Sequence, residues 1–381
     1  MGEKIKLNYD DITIVPERIT NICSRSACNP YDEEGYLPIF ASCMSSVVSI
    51  ENTGEFNAAK IRTVIPRSYP LSMRLEYLFK NEGNFVAFSM AEAQDVFDSE
   101  EGIDKFLRKG ALNRLPIRIC IDLANGHMRC LLDLVKSIKG KWGKNIVIMT
   151  GNIANPETYR DYEEAGVDLC RVSIGTGNVC STSSNTAVHF PVFSLLKETY
   201  EVKKSIDGKC KIIADGGIHG FRDIQKALIY SDYVMIGSLF NKAIESAGKT
   251  TYGTFYWNVR GKKIARPLKT LLYFGKEVPK KKYGQVLSLI KNGKLTVWKE
   301  LYGMSSKIAQ SLINKANGME AKRLKTSEGL LKYQKVEYDL AGWAENETDF
   351  LRSAMSYTNS LNLDEYKNSE WAQITNIRYN N

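Results

Sequence analysis

The chain has 381 residues, of which 43% are hydrophobic and 25% charged, with a formal net charge of +9. That is enough apolar material for a substantial core and enough length for one large barrel with insertions, while no run approaches the roughly 20 apolar residues needed to span a bilayer. The opening MGEKIKLNYDD holds no apolar signal core, so a cytoplasmic location is expected, and the basic balance suits anionic small molecules better than nucleic acid, for which no binding motif is present.

In chain order, eight short apolar runs are expected to be strands: Leu37–Met44, Thr63–Pro66, Phe85–Met90, Ile117–Leu123, Ile146–Thr150, Leu169–Ile174, Ile212–Ala214 and Tyr233–Ile236. Runs this short and this apolar suit parallel strands buried on both faces. The segments between them read as helices. Met128, Leu131, Leu132, Val135 and Ile138 form one helical stripe, and Asn155-Pro156-Glu157 supplies a cap, a first-position proline and a first-turn acid. Eight strand–helix units predict an α/β fold, a closed (β/α)8 barrel; an open doubly wound sheet is the alternative if one run is misassigned. The whole chain is expected to be a single barrel domain. Beyond residue 247 the rhythm breaks. A lysine- and arginine-rich insertion at about 250–300, including Lys280-Lys281-Lys282, reads as a flap, an added subdomain or a solvated surface insertion. Flap segments follow at about 301–345, and a helical pattern returns at 346–358.

Eight cysteines at 23, 28, 43, 120, 130, 170, 180 and 210 include no C-x-x-C pair, which argues against zinc. Cys43, Cys120 and Cys170 lie inside apolar runs, where a thiol behaves as a small buried hydrophobe. Cys180 differs: it sits in the loop Gly175-Thr-Gly177-Asn-Val-Cys180-Ser-Thr182 after the sixth strand. Barrels carry their chemistry on loops at the C-terminal strand ends, and backbone N–H groups or a nearby cation there favour a thiolate. The same ends carry Asp122-Leu123-Ala124-Asn125-Gly126, Gly151-Asn152, Asp215-Gly216-Gly217 and Gly237-Ser238. Glycine pairs after the last two strands suit a phosphate, and Asp215 suits ribose hydroxyls. On composition alone, those glycines could merely turn the chain and a single loop cysteine could be incidental. No G-x-G-x-x-G follows a strand, so a separate dinucleotide domain is not indicated. His127, His189 and His219 are given no role.

These loops, in this order, resemble the IMP dehydrogenase/GMP reductase family over most of the chain. Leu7-Asn-Tyr-Asp-Asp11 with Val15-Pro16 is similar to the family's N-terminal segment, and Tyr302-Gly303-Met304-Ser305-Ser306 and Thr326-Ser327-Glu328-Gly329 are similar to its purine-contacting segments. The Tyr-Gly-Met-Ser-Ser form, the lack of a CBS pair and the lack of a flap Arg-Tyr favour the reductase branch. The resemblance implies NADPH-dependent reductive deamination of GMP to IMP and ammonia through a Cys180 thioimidate, with Thr182 and Glu328 moving the proton.

It further implies that Asp215, Gly216, Gly217, Gly237, Ser238, Asn178 and Tyr302 to Ser305 hold the nucleotide, together with Lys325, Ser327 and Gly329. Asp122, Leu123, Ala124, Asn152, Gly175 and Arg67 would hold the cofactor, and Ser24 and Arg25 its adenosine phosphate, from a neighbouring subunit of a tetramer. Carbonyls of Gly175, Gly177 and Cys180 would bind K+. Several positions depart from the family: Asn178 replaces a phosphate-binding serine, Thr176 a proline or serine, Ser45 an aspartate and Lys325 an arginine. These leave open IMP dehydrogenation with NAD, another purine nucleotide as substrate, or a non-catalytic nucleotide- or nucleic-acid-binding role.

Overall fold

The computed structural model describes residues 5–80, 83–102, 116–252, 280–319 and 329–374, together with the backbone of 255–259 and 262–266. After a short strand β1 (Ile12–Ile14), eight parallel strands close into a barrel in sequence order: β2 (Ile39–Ala41), β3 (Arg62–Ile65), β4 (Phe85–Phe88), β5 (Ile117–Asp122), β6 (Ile146–Ile153), β7 (Leu169–Val172), β8 (Lys211–Asp215) and β9 (Tyr233–Ile236), with β9 returning to β2. All eight apolar runs are barrel strands, and the open-sheet alternative falls away.

The two faces of these strands bury different things. Side chains alternate across a strand, so one set packs inside the barrel: Phe40, Val64, Phe85, Ala87, Cys120, Met149, Leu169, Ile213 and Met235 form a closed apolar plug. The other set meets the helices, where Ile119, Ile121, Ile148, Cys170, Val172, Ile212 and Ala214 join the main core. The helix Arg129–Trp142 buries Leu131, Leu132, Val135 and Ile138 of the expected stripe against it, with Leu134 in addition, while Met128 stands at its N-cap. The following helix begins at Thr158 with Glu157, not Asn155, at its N-cap and no side-chain cap bond, while Asn155 Oδ1 accepts from the Glu157 amide at 3.0 Å in the turn that leads into it.

Beyond β9, strands β10 (Thr250–Tyr252), β13 (Val297–Tyr302) and β14 (Leu331–Lys335) form an antiparallel sheet in the order β10-β13-β14, and β11 (Phe255–Val259) pairs with β12 (Lys262–Arg266) as a hairpin. The basic segment is therefore more than a solvated excursion. Ile244, Val286, Leu287, Leu295, Val297 and Val336 give its described part an apolar cluster of its own. The long helix Leu340–Tyr357 starts six residues before the expected pattern because Asp339 caps it, accepting from the Gly342 amide at 2.7 Å. Strand β15 (Trp371–Gln373) closes the described chain against β1. No helix among the described residues is long and apolar enough to cross a membrane.

Candidate active site

Period-two alternation continues above the plug and decides what the barrel mouth contains. Cys120, Leu169 and Ile213 face inward, so two residues further on Asp122, Arg171 and Asp215 do as well. The register sets Asp122 beside Gly151 and Gly151 beside Arg171. Gly151 has to be glycine for space and for backbone: its φ is 144°, and a Cβ there would lie 2.5 Å from the Arg171 carbonyl oxygen and 2.6 Å from its Cβ.

Three charged side chains thus meet in the interior. Arg171 donates from Nη1 to Asp122 Oδ1 at 2.9 Å and from Nε to Asp215 Oδ2 at 2.9 Å. Arg67 adds a bond from Nε to Asp122 Oδ2 at 3.2 Å, and Asn152 Nδ2 donates to Asp215 Oδ2 at 2.7 Å and to the Ser173 carbonyl at 2.9 Å. Burial by itself would raise the Asp122 carboxyl, but Arg67 and Arg171 outweigh it and hold the group down at about 2.

Above this floor lies a cleft of about 300 Å³, within the usual range for small-molecule sites. Its walls include Cys180, Thr182, Gly175, Gly177, Asp215, Gly216, Asp122, Leu123, Ala124, Asn152, Arg67, Gly303, Met304, Ser305 and Gly329, so most of the residues singled out from sequence converge here. Cys180 is half-buried, with Sγ 3.3 Å from Thr182 Oγ1. It pairs antiparallel with Gly329, and the Leu330 amide donates to the Val179 carbonyl at 2.9 Å, which seats the start of β14 on the cysteine loop. The thiols on the strands differ sharply: Cys120 and Cys170 are buried, and burial pushes the Cys170 thiol far above its ordinary value, while Cys43, just past β2, is also buried with its Sγ 3.4 Å from Asp122 Oδ1. Gly216 (φ 105°) packs on the cysteine loop so closely that a Cβ would stand 2.6 Å from Thr176 Oγ1.

Other expected residues lie elsewhere. Gly217, Gly237 and Ser238 occupy the neighbouring strand ends without forming the cleft wall, and Gly237 makes room for Met44, whose Sδ would be 2.7 Å from a Cβ there. Asn178 is engaged by Lys332, whose Nζ donates to its Oδ1 at 2.8 Å and to its carbonyl at 2.6 Å. Tyr302 and Ser45 face a second, larger cavity of about 1150 Å³ between the barrel and the added subdomain, a space without any thiol among its described walls. Ser24 and Arg25 stand outside the cleft. Arg25 is exposed and pairs with Asp349 at 2.9 Å and with Ser353 at 3.1 Å. Lys325, Ser327 and Glu328 lie outside the described residues.

Backbone carbonyls are suitable ligands for a monovalent cation, and those of Gly175 and Gly177 each already accept one hydrogen bond, from Ser183 Oγ and the Cys180 amide, both at 2.9 Å. Each keeps one lone pair. His127 has a structural role: its Nε2 accepts from the Ala154 amide at 3.0 Å and its Nδ1 meets Thr158 Oγ1 at 3.1 Å, and burial lowers its pKa in keeping with a neutral ring.

Sequence reasoning missed Arg171 and Gln310, which also line the cleft; Gln310 Nε2 donates to the Met304 carbonyl at 2.7 Å. The signal for Arg171 was present. An arginine inside a run otherwise buried on both faces has to be paired. Gln310 had no such signal, since it stands in an ordinary amphipathic helix.

Fold and site together define a (β/α)8 barrel with a thiol and a glycine loop facing one cleft at the strand ends. Residues 104–293 match the model of the IMP dehydrogenase / GMP reductase domain. The chain is 30% identical over 328 residues to a GMP reductase of Staphylococcus aureus, spanning 84% of this chain and 94% of that protein. It is 32% identical over 251 residues to a GMP reductase of Clostridium acetobutylicum, spanning 64% and 73%. This chain belongs to the IMP dehydrogenase/GMP reductase family.

Proposed function

We propose that the protein is a GMP reductase, converting GMP and NADPH with protons to IMP, NADP+ and ammonium through a covalent bond between Cys180 and the purine. The observation that carries this reading is the convergence on one cleft of the Cys180 thiol, the Thr182 hydroxyl, the Asp215-Gly216 loop and the Asp122–Ala124 loop. The relatives named GMP reductase point the same way.

Cys180 Sγ adds to C2 of the guanine, and the amine at that carbon leaves as ammonia after taking a proton by way of Thr182. Glu328 would supply that proton. The bound dinucleotide would supply the hydride that C2 receives. Cys180 then departs as thiolate and IMP is released. The sequence needs one group that attacks well and leaves well, which a thiolate is. Asp215 would accept from the ribose hydroxyls, and the Gly216-Gly217 and Gly237-Ser238 turns would hold the phosphate. Met304, Ser305, Ser327 and Lys325 would hold the base.

The residues suit the cofactor as well. Asn152 spends its amide hydrogens on Asp215 and Ser173, which leaves Oδ1 as an acceptor for a carboxamide N–H beside the Asp122–Ala124 backbone. K+ would rest on the free lone pairs of Gly175, Gly177 and Cys180. Arg25, outside this protomer's cleft, would reach the extra phosphate of NADPH only on a neighbouring copy, in keeping with a tetramer.

Incubation with GMP and NADPH is expected to consume NADPH and release ammonia in equal amounts, and mass spectrometry is expected to find a nucleotide on Cys180. Reduction of NAD by IMP without any reaction of GMP would overturn the reading.

A further inference from the structure

Arg171 is 6% exposed at the floor of the cleft. Its partners Asp122 and Asp215 come from β5 and β8, strands that are not neighbours in the barrel. One planar guanidinium reaches both: Nη1 lies 2.9 Å from Asp122 Oδ1, and Nη2 lies 2.8 Å from Asp215 Oδ2. Arg67 and Arg171 together balance the two carboxylates, so the four charges can stay buried only as a set. Gly151, between them on β6, has no side chain to obstruct the bridge.

The cofactor is read above onto the Asp122 loop and the nucleotide onto Asp215, so the bridge runs beneath both ligands. We infer that Arg171 is a positioning residue that holds the cofactor-side loop in register with the nucleotide-side loop, setting the distance for hydride transfer without touching either ligand. This rests on the reading under Proposed function. A guanidinium is suited to the task because its donors are fixed in one plane, whereas a lysine ammonium is a single point on a flexible stem and cannot span two carboxylates in a set geometry. Transfer requires reacting atoms about 3–3.5 Å apart, and a displacement of about 1 Å costs on the order of 100-fold in rate.

Buried arginine also occurs where no chemistry is read. Arg62, 3% exposed, pairs with Asp32 and Glu34, two residues of a single loop at the opposite mouth. Arg62→Lys is therefore the control for burial alone.

The test uses full-length Arg171→Lys with GMP and NADPH. kcat is expected to fall on the order of 100-fold, KM for GMP to change by less than about 3-fold, and the Cys180–nucleotide adduct still to form with cofactor present and to accumulate, because attack and ammonia loss precede the misaligned step. Asp122→Asn, nearly isosteric, cuts the other end of the bridge and is expected to give the same split should the lysine variant fold poorly. Arg62→Lys is expected to lower the melting temperature with kcat per folded molecule unchanged. The inference is overturned if kcat of folded Arg171→Lys stays within about 3-fold of the unmutated enzyme, or if turnover and adduct decline together in proportion to the folded fraction. Failure of the unmutated enzyme to turn over GMP would overturn the functional reading, and this inference with it.

Discussion

The two mouths of the barrel each hold a buried arginine between two carboxylates, yet they are built for different ends. At the N-terminal mouth, Arg62 pairs with Asp32 and Glu34, stacks 4.5 Å from the Tyr36 ring centroid and has Phe40 and Tyr233 nearby. Arg118 closes on Glu34 at 2.6 Å. Loop 32–36 thus ties itself to the barrel end, and a cavity of about 470 Å³ beside it has only one described thiol on its wall, the buried Cys210. At the C-terminal mouth, Arg171 has no aromatic ring against it among the described contacts, and its carboxylates open onto a cleft with a half-buried thiol. A buried ion pair by itself says little about function. What distinguishes the two mouths is whether the partners come from one loop or from different strands, and what reactive group faces the same space.

The largest effect expected from breaking this comparison is at the thiol. Cys180→Ser is expected to reduce GMP-dependent NADPH oxidation on the order of 1000-fold or more with little change in thermal unfolding. Cys170→Ser, ten residues earlier and buried on β7, is expected to leave the rate per folded molecule intact and to lower stability by about 1–3 kcal/mol, because it puts a hydroxyl in an apolar site. Equal losses of activity in the two variants would remove the distinction.

Next come the arginines. Arg62→Met and Arg171→Met each leave carboxylates without their buried partner, and each is expected to cost about 3–5 kcal/mol by denaturant unfolding. Only Arg171→Met is expected to lose turnover per folded molecule. Gly151→Ala tests the same bridge from its neighbour. The positive φ and the 2.5 Å approach to the Arg171 carbonyl predict a cost of about 1–3 kcal/mol together with a fall in kcat, read by unfolding and steady-state kinetics.

The smallest effect is in acid. Glu34 is held at about 2, chiefly by the Arg118 hydrogen bond, against burial and with help from Arg62. Asp122 is also held at about 2, its two arginines outweighing burial. Both folded values lie below the ordinary 4.5 and 3.8, so their contributions to stability are whole above about pH 4.5 and are lost as pH falls towards 2. Glu34 is 46% exposed, so solvent screens its share. Glu34→Gln and Asp122→Asn are each expected to flatten acid unfolding measured between pH 4.5 and 2. A profile as steep in both variants as in the parent chain would show that these carboxyls contribute nothing there.

Much of this was legible in the residues. The eight apolar runs announced the strands because burial on both faces leaves a continuous hydrophobic stretch, and the loop around Cys180 stood out because its thiol lies among glycines and hydroxyls at a strand end, although composition alone left it open to being incidental. Some ends were misjudged. The helix expected at 346–358 starts at Leu340, where Asp339 caps it, and the basic segment has an apolar cluster assembled from residues as far apart as Ile244 and Val336, a spacing no local pattern reveals.

Tertiary structure decided the rest. Asn178 stands where a phosphate ligand is usual in the family, but its partner is Lys332, 154 residues later, brought over by β14. Arg171 could be flagged in sequence as a charge in an apolar run, yet its role depends on which inward-facing carboxylates stand at its level, and barrel closure and register set that. Alternation along a strand and the apolar run are properties of neighbouring residues, so sequence alone determined the barrel strands and marked the loop that carries the half-buried Cys180 thiol. Which charges neutralise one another across strands is a matter of distances through space, and only the closed barrel supplies those.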